Sequence, residues 1–259
     1  MRLVTYNVEY CAGINRTWKY LEVQKYFKLV KKTLMKIVDY LKDVNPDILA
    51  LIEIDAGTVT FRKKSGVEMF SDELGMNYFA AKTKYPKKSV YKVLNHVPVF
   101  RKHANAILSK YPLFDIRYYF LSKGMKRLVI QSKLKFAVEG KVIDLFLFAV
   151  HLSLRKKTRQ IQLKELGQLI NACDGEKMVF GDFNNFAGYK EFSEFLGETN
   201  MVNAIKASKE PHITTFPSWK PRRHLDHVLV TKGIKVNDYR VLDAKFSDHL
   251  PVLVDFELE

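Results

Sequence analysis

The sequence predicts an α+β protein in which two β-sheets are faced by helices. Three observations carry this prediction. Short apolar, β-branched runs recur from one end of the chain to the other, and in the middle they follow one another as a meander and not as repeated βαβ units. Helical stripes are few. At 259 residues and 47% hydrophobic content, the chain can bury a large core, which excludes a disordered or collagen-like polymer.

The elements follow in order. Residues 2–8 alternate and form a short strand, and Cys11 to Arg16 read as a loop. Tyr20, Val23, Phe27, Val30, Leu34, Ile37 and Leu41 then recur at helical spacing, and this stripe stops before Asn45-Pro46. Asp47 to Glu53 is an unbroken apolar run closing on a carboxylate, as expected of a buried central strand that presents Glu53 at its end. Residues 54–102 are Lys-rich and interrupted by Pro86 and Pro98, so they read as irregular.

Strands are predicted at Ala104–Ser109, Leu113–Leu121, Leu128–Val138 and Val142–Val150. A second helix is predicted from Thr158 to Ala172, with Ile161, Leu163, Leu166, Leu169 and Ile170 as its apolar positions. Short strands follow at Lys177–Phe180, Leu225–Thr231, Lys235–Leu242 and Pro251–Phe256, with a helix near Tyr189–Leu196. No Pro/Gly/Ser-rich stretch divides the chain, so residues 1–259 read as one domain.

Charge and cysteine usage restrict the class further. With 43 Lys and Arg against 28 Asp and Glu, the formal charge is +15, which favours anionic partners. Cys11 and Cys173 stand far apart with no CxxC pair, so neither a disulfide framework nor a structural zinc site is expected. No transmembrane segment and no secretory leader are read, and the expectation is a cytoplasmic protein with no obligate protein partner.

The polar residues at strand ends point to chemistry. Asn7, Glu53, His151, Asp182, Asn184, Asp226, Asp248 and His249 each fall at or just after an apolar strand, where side chains from distant segments converge on one edge. Asn7, Glu53, Asp182, Asn184 and Asp248 offer only oxygen ligands, which suit Mg²⁺ or Mn²⁺ and not zinc or copper. Magnesium binds through one or two carboxylates plus substrate phosphate, so this set implies a phosphoryl substrate. His151 and His249 can then work as acid and base near neutral pH.

Seven segments, in chain order, carry a resemblance. They are Thr5-Tyr6-Asn7-Val8, Leu51-Ile52-Glu53-Ile54-Asp55, Asn105-Ala106-Ile107-Leu108-Ser109, Val150-His151-Leu152, Gly181-Asp182-Phe183-Asn184, Leu225-Asp226-His227 and Ser247-Asp248-His249-Leu250-Pro251-Val252. Together they resemble the motifs of the endonuclease/exonuclease/phosphatase superfamily. The resemblance implies a DNase I-like four-layer sandwich, with two mixed sheets face to face and helices outside, and metal-dependent cleavage of phosphoester bonds. It makes Glu53 the main metal carboxylate, completed by Asp248 and Asn7. It gives Asp182 and Asn184 the positioning of water and phosphate, has Asp226 orient His249, and makes His151 a second catalytic histidine.

Departures from the family pattern narrow the branch. Asn7-Val8-Glu9-Tyr10 stands where exonuclease III-type enzymes carry Asn-x-Asn-Gly, and Val150-His151-Leu152-Ser153 where they carry Tyr-Val-Pro-Asn. His103-Ala104 replaces an aromatic-Gly pair before Asn105, itself a substrate-contact candidate. A broad branch outside the exonuclease III type is therefore implied.

Basic residues adjoin these motifs. Arg155, Lys156, Lys157 and Arg159 follow His151, while Lys220, Arg222 and Arg223 precede Asp226, and Lys84, Lys87, Lys88, Lys92, Arg101 and Lys102 follow Glu53. Such clusters favour a polyanion, with Arg155, Arg159, Arg222 and Arg223 lining its path, so nucleic acid is the expected substrate. A phosphodiesterase or phosphatase on phospholipid headgroups or small phosphorylated molecules is the alternative. A catalytically silent binding module is disfavoured, because no expected catalytic position is lost.

Overall fold

In the computed structural model, described over residues 1–12, 23–56, 64–84, 103–125, 127–186, 188–210 and 213–259, strands dominate. In chain order they are β1 (Arg2–Asn7), β2 (Ile48–Asp55), β3 (Tyr78–Thr83), β4 (His103–Ser109), β5 (Phe114–Phe120), β6 (Leu128–Val138), β7 (Lys141–His151), β8 (Glu176–Asp182), β9 (Val202–Asn203), β10 (Asp226–Val230), β11 (Ile234–Val241) and β12 (Val252–Leu258). They form two six-stranded sheets, ordered β11-β12-β1-β2-β4-β3 and β5-β6-β7-β8-β10-β9. Both sheets are mixed: β1 and β2 pair in parallel, as do β7 and β8, among antiparallel neighbours.

The central strands read as continuous apolar runs because both of their faces are covered. In β1 and β2, Leu3, Ile48, Ala50 and Ile52 face the second sheet, meeting Ile130, Leu147, Ala149, Phe180 and Val228. The alternate residues Val4, Leu49 and Leu51 face outward, onto Leu34, Ile37 and Leu41 of helix α1 (Val23–Val44) and Phe70 of α2 (Gly66–Glu73). On the far side, Phe148, Val150 and Val179 meet Leu163, Leu166 and Ile170 of α3 (Lys156–Asn171) and Phe195 of α4 (Ser193–Thr199). The order is helix, sheet, sheet, helix, the four layers the motifs implied. Among the described residues no helix is long and apolar enough to cross a membrane.

Besides the two-residue strand β9, three elements, α2, β3 and α3, depart from the sequence expectation. The segment after Glu53 contains α2 and β3, although it read as irregular. The signal for α2 was present as a capping box: Ser65 Oγ accepts from Glu68 N, and the Glu68 carboxylate accepts from Ser65 N. Strand β3 lies at the edge of its sheet with most residues partly exposed, so its pattern is thin. In α3, Ile161 points to solvent, 38% exposed, and the polar Gln162 is buried in the same helix. Tyr20 and the loop residues Gly13 to Arg16 lie outside the described residues, as do Lys87, Lys88, Lys92, Arg101 and Lys102.

Arg159 requires a correction. It was expected to line a substrate path, but its side chain is 2% exposed and its guanidinium forms a two-pronged pair with Glu191, at 2.9 and 2.8 Å. Its remaining nitrogen donates to the carbonyls of Ser153 and Leu154. Every edge of the fork is used, so Arg159 braces the segment after β7 and faces no ligand. Arg159→Ala is expected to destabilise the fold by about 3–5 kcal/mol, because it strands a buried carboxylate. Urea unfolding measures this, and a loss below about 1 kcal/mol would show the pair to be dispensable.

Candidate active site

Strand register brings the functional residues together. His151, the last residue of β7, lies opposite Asp182, the last of β8, and Asp182 lies opposite Asp226, the first of β10. One residue earlier, Val150 lies opposite Gly181, where a Cβ would stand 2.1 Å from the Val150 carbonyl oxygen. With φ at +133° as well, only glycine fits there, which ties the Gly-Asp sequence to the close approach of β7 and β8. Across the sandwich, β1 ends on Asn7, and its Nδ2 donates to Asp182 Oδ2 at 3.1 Å. Both sheets thus contribute to one cluster.

Asp182 is its centre. Its Oδ1 accepts from the backbone N–H of Asn184 at 2.9 Å, while Oδ2 lies 3.3 Å from His151 Nε2 and 3.9 Å from His249 Nε2. Asn184 is held in turn, since its Nδ2 donates to the Leu152 carbonyl and its backbone takes a left-handed φ of 52°. His249 Nδ1 lies 2.8 Å from Asp226 Oδ2, and both residues are buried. Burial disfavours the imidazolium, but Asp226, Asp182 and Asp248 outweigh it and push the His249 pKa up to about 10. The backbone of Leu225 and Asp226 is fixed by Thr215 Oγ1, which accepts from both N–H groups.

Glu53 is aimed by a bulge. Between Leu51 and Ile54 the β2–β4 register slips, so that Ile52 and Glu53 together oppose Asn105. Glu53 takes a φ of 60°, a conformation costing a non-glycine residue about 1–2 kcal/mol. Asn105 supports it, because its Oδ1 accepts from Glu53 N at 3.2 Å. Asn105 is fully buried, and its Nδ2 has no hydrogen-bond partner among the described residues. It acts first as a support for Glu53 and offers its remaining donor nearby.

Glu9, Tyr10, Ser247 and Lys84 also belong to the cluster, although the sequence reading assigned them no individual site role, and Lys84 only a place in a basic stretch. Glu9 is buried, and its Oε2 accepts from Asp248 N at 3.3 Å. Glu9, Tyr10 and Cys11 form a left-handed turn with φ of 46°, 55° and 57°, a strained local path of the kind found at functional sites. Ser247 Oγ donates to the Asn7 carbonyl at 2.7 Å, joining the last motif to the first. Lys84 lies buried against Glu53, His151 and Tyr10. A lysine in a Lys-rich stretch carries no signal of such a position, whereas Glu9, two residues after Asn7, was an acid beside a motif.

The remaining cations divide by position. Arg155 is exposed at the start of α3, and Arg222 and Arg223 are exposed on the loop before β10. That loop is tied back by a two-residue bridge, since Arg223 N donates to the Phe216 carbonyl and Phe216 N to that of Arg223. The Phe216 ring packs 4.9 Å from the His249 ring, so the two arginines lie on a segment bound to the site. They border a hollow of about 330 Å³ with Asn185, Phe186, His224 and His227.

The donor set suits a divalent cation. Buried or half-buried carboxylates (Glu9, Glu53, Asp182, Asp226, Asp248) exceed the cations Lys84 and His249, and hard oxygen ligands predominate. Asp182, Asp226 and His249 form a cluster whose ligand atoms lie within 4.8 Å of one another. Among the described residues these three form a group that could hold a metal ion, beside the carboxylates around it.

Comparison with known proteins decides the family. The profile described as Endonuclease/Exonuclease/phosphatase family matches residues 4–249. The chain belongs to that family. Members of the endonuclease/exonuclease/phosphatase family are largely phosphoester hydrolases and generally depend on divalent metals. The Escherichia coli protein YbhP is 29% identical over 164 residues, 60% of this chain and 63% of that protein, so the chain spans less than two thirds of its curated relative. Among solved structures, an endonuclease/exonuclease/phosphatase family protein from Leptotrichia buccalis superposes with a TM-score of 0.70 at 13% identity over the whole of both chains. A mannosyl-6-phosphatase of Bacteroides thetaiotaomicron does so with the same score at 14% identity, again over both entire chains. These likenesses establish the DNase I-like fold.

Proposed function

We propose that this member of the family is a divalent-metal-dependent phosphodiesterase that hydrolyses nucleic acid, DNA or RNA, by in-line attack of water. The observation that carries the reading is the shared carboxylate Asp182, held by Asn7 and the Asn184 N–H between two histidines, one of them paired with Asp226. In this reading Asp182 orients the attacking water and accepts its proton. The His249 imidazolium donates from Nε2 to a phosphoryl oxygen, and Asp226 holds the ring in place. Asn184 orients the scissile phosphate. Glu53, Asp248 and Asn7 are the residues to hold Mg²⁺ or Mn²⁺, with Glu9 fixing the Asp248 backbone. A bound divalent cation supplies positive charge to the developing oxyanion.

The surface charge supports nucleic acid. Arg155, Arg222 and Arg223 are exposed, and Arg222 and Arg223 lie on the loop whose Phe216 ring packs against His249. Each phosphate contact contributes about 0.9 to the slope of log K against log salt on duplex DNA, or about 0.7 on a single strand. Replacing Arg222 and Arg223 together by Ala is expected to reduce that slope by roughly one to two units, measured in EDTA to prevent cleavage. An unchanged slope would remove these residues from the substrate path.

The hollow beside Arg222 and Arg223 favours a second reading, a small phosphorylated molecule or lipid headgroup. A cleavage panel with Mg²⁺ or Mn²⁺ separates the two, using plasmid, single-stranded DNA, RNA, sphingomyelin and inositol phosphates. Turnover of a nucleic acid above the other substrates is the expected result. Turnover confined to the small esters would replace the nucleic-acid reading, and turnover of none would end both.

A further inference from the structure

We infer that the hollow beside Arg222 and Arg223 is a nucleobase pocket, in which Asn185 and His227 hold the edge of a base next to the scissile phosphate and Phe186 covers its face. This inference deepens the nucleic-acid reading above and rests on it.

Residues after β8, on β9 and around the start of β10 wall this space of about 330 Å³. Two rings join it to the catalytic cluster: Phe186 meets Phe216 edge-on at 6.3 Å, and Phe216 packs 4.9 Å from His249. Asn185 also directly follows Asn184, to which the reading above gives the scissile phosphate. The hollow therefore adjoins the place where the phosphate reacts.

Two side chains in its wall each hold a polar atom with no hydrogen-bond partner among the described residues, Asn185 Oδ1 and His227 Nε2. Both residues are 3% exposed. Unpaired buried atoms are costly, and a site built to pair them in a ligand accounts for the cost. Neither side chain is free to turn elsewhere. Asn185 Nδ2 donates to the Gly188 carbonyl at 2.6 Å, which fixes the amide with its oxygen on the other side. The His227 ring is held by Asn203, 3.1 Å from Nδ1, by the His224 ring at 4.1 Å, and by the Phe183 and Phe192 rings at 5.5 and 4.9 Å. Groups arranged in advance lose little freedom on binding.

Their chemistry selects the ligand. Asn185 Oδ1 only accepts, so it requires an N–H or O–H and repels the oxygens of a phosphate or carboxylate. Arg222 and Arg223 are exposed, at the mouth, and favour phosphate there instead. A nucleotide meets both demands, since each base carries an N–H beside a second polar atom on its edge while its phosphates stay outside. A phosphate headgroup entering the hollow would face the Asn185 oxygen. Phe186, 40% exposed, offers a ring for stacking, a contact that holds single strands irrespective of sequence. A base paired within a duplex cannot reach such a pocket, so a single-stranded substrate is implied.

The test uses two labelled oligonucleotides of equal length and charge, an oligothymidylate and its abasic tetrahydrofuran analogue, bound to the full chain in EDTA and followed by fluorescence anisotropy. The base-bearing strand is expected to bind about tenfold tighter. Asn185→Leu and Phe186→Ala are each expected to bring the two affinities within about twofold. Phe186 is exposed, so its variant tests the pocket even if Asn185→Leu fails to fold. Equal wild-type affinity for the two strands would overturn the inference while backbone binding kept the nucleic-acid reading in place. A tenfold preference surviving in Phe186→Ala and in folded Asn185→Leu would place the base elsewhere and overturn it as well. Displacement of the oligothymidylate by thymidine monophosphate is expected, and displacement by an inositol phosphate alone would give the hollow to the small esters. Binding of neither strand would count against nucleic acid as substrate and remove the inference with it.

Discussion

His249→Gln and Asp226→Asn are each expected to lower kcat by about 10³–10⁴-fold, and the double variant to be no slower than the worse of the two. The reason lies in the geometry of the pair. Asp226 reaches only Nδ1 of the imidazole, at 2.8 Å, while Nε2 points to the Asp182 side of the cluster. Asp226→Asn keeps the shape but replaces an acceptor with an amide, so the ring loses its orientation and the nearest of the charges that favour its protonated form. Once Asp226 is gone His249 has little left to contribute, which is why the losses cannot add. A loss of about 10⁴ corresponds to about 5.5 kcal/mol of transition-state stabilisation. Additive losses in the double-mutant cycle would show that the two side chains work separately, and intact thermal unfolding of each variant excludes a folding defect.

The site was more legible in the sequence than the elements between its motifs. Asn7, His151, Asp182 and Asp226 each close or open a strand, and a strand boundary leaves a strong local mark where an apolar run stops at a polar residue. Convergence then follows from register, which sequence periodicity does not contain: the pairing of Asp182 with both His151 and Asp226 joins segments far apart in the chain. Lys84 and Arg159 show the limit from the other side. Both belong to Lys/Arg-rich stretches, where every residue reads alike as solvated charge. One is buried against Glu53 and the other against Glu191, because a bulge and a helix turn carry each carboxylate to it. Edge strand β3 was missed for a related reason, since partial exposure on both faces blurs the alternation that marks a strand.

Glu53→Gln is the second large effect, with kcat expected to fall by at least about 10²-fold and Mg²⁺ affinity to fall with it. The substitution preserves volume, the bulge and the bond from Glu53 N to Asn105, all of which belong to the backbone or to the neighbour. What it removes is the negative charge, and two cations depend on that charge. One is the divalent ion that we propose this carboxylate binds. The other is Lys84, which would be left buried with its ion-pair partner neutralised, a loss of about 3–5 kcal/mol by analogy with broken buried pairs. A fall in activity alone would therefore not separate a lost ligand from a loosened site. Glu53→Gln combined with Lys84→Met removes both members and is expected to recover most of the stability, as replacing buried pairs with uncharged groups commonly does. Metal affinity by calorimetry is expected to stay low in the double variant, because removing the competing ammonium cannot replace an oxygen anion. Equal Mg²⁺ affinity in wild type and Glu53→Gln would take Glu53 out of the metal site and leave it as the counter-ion of Lys84.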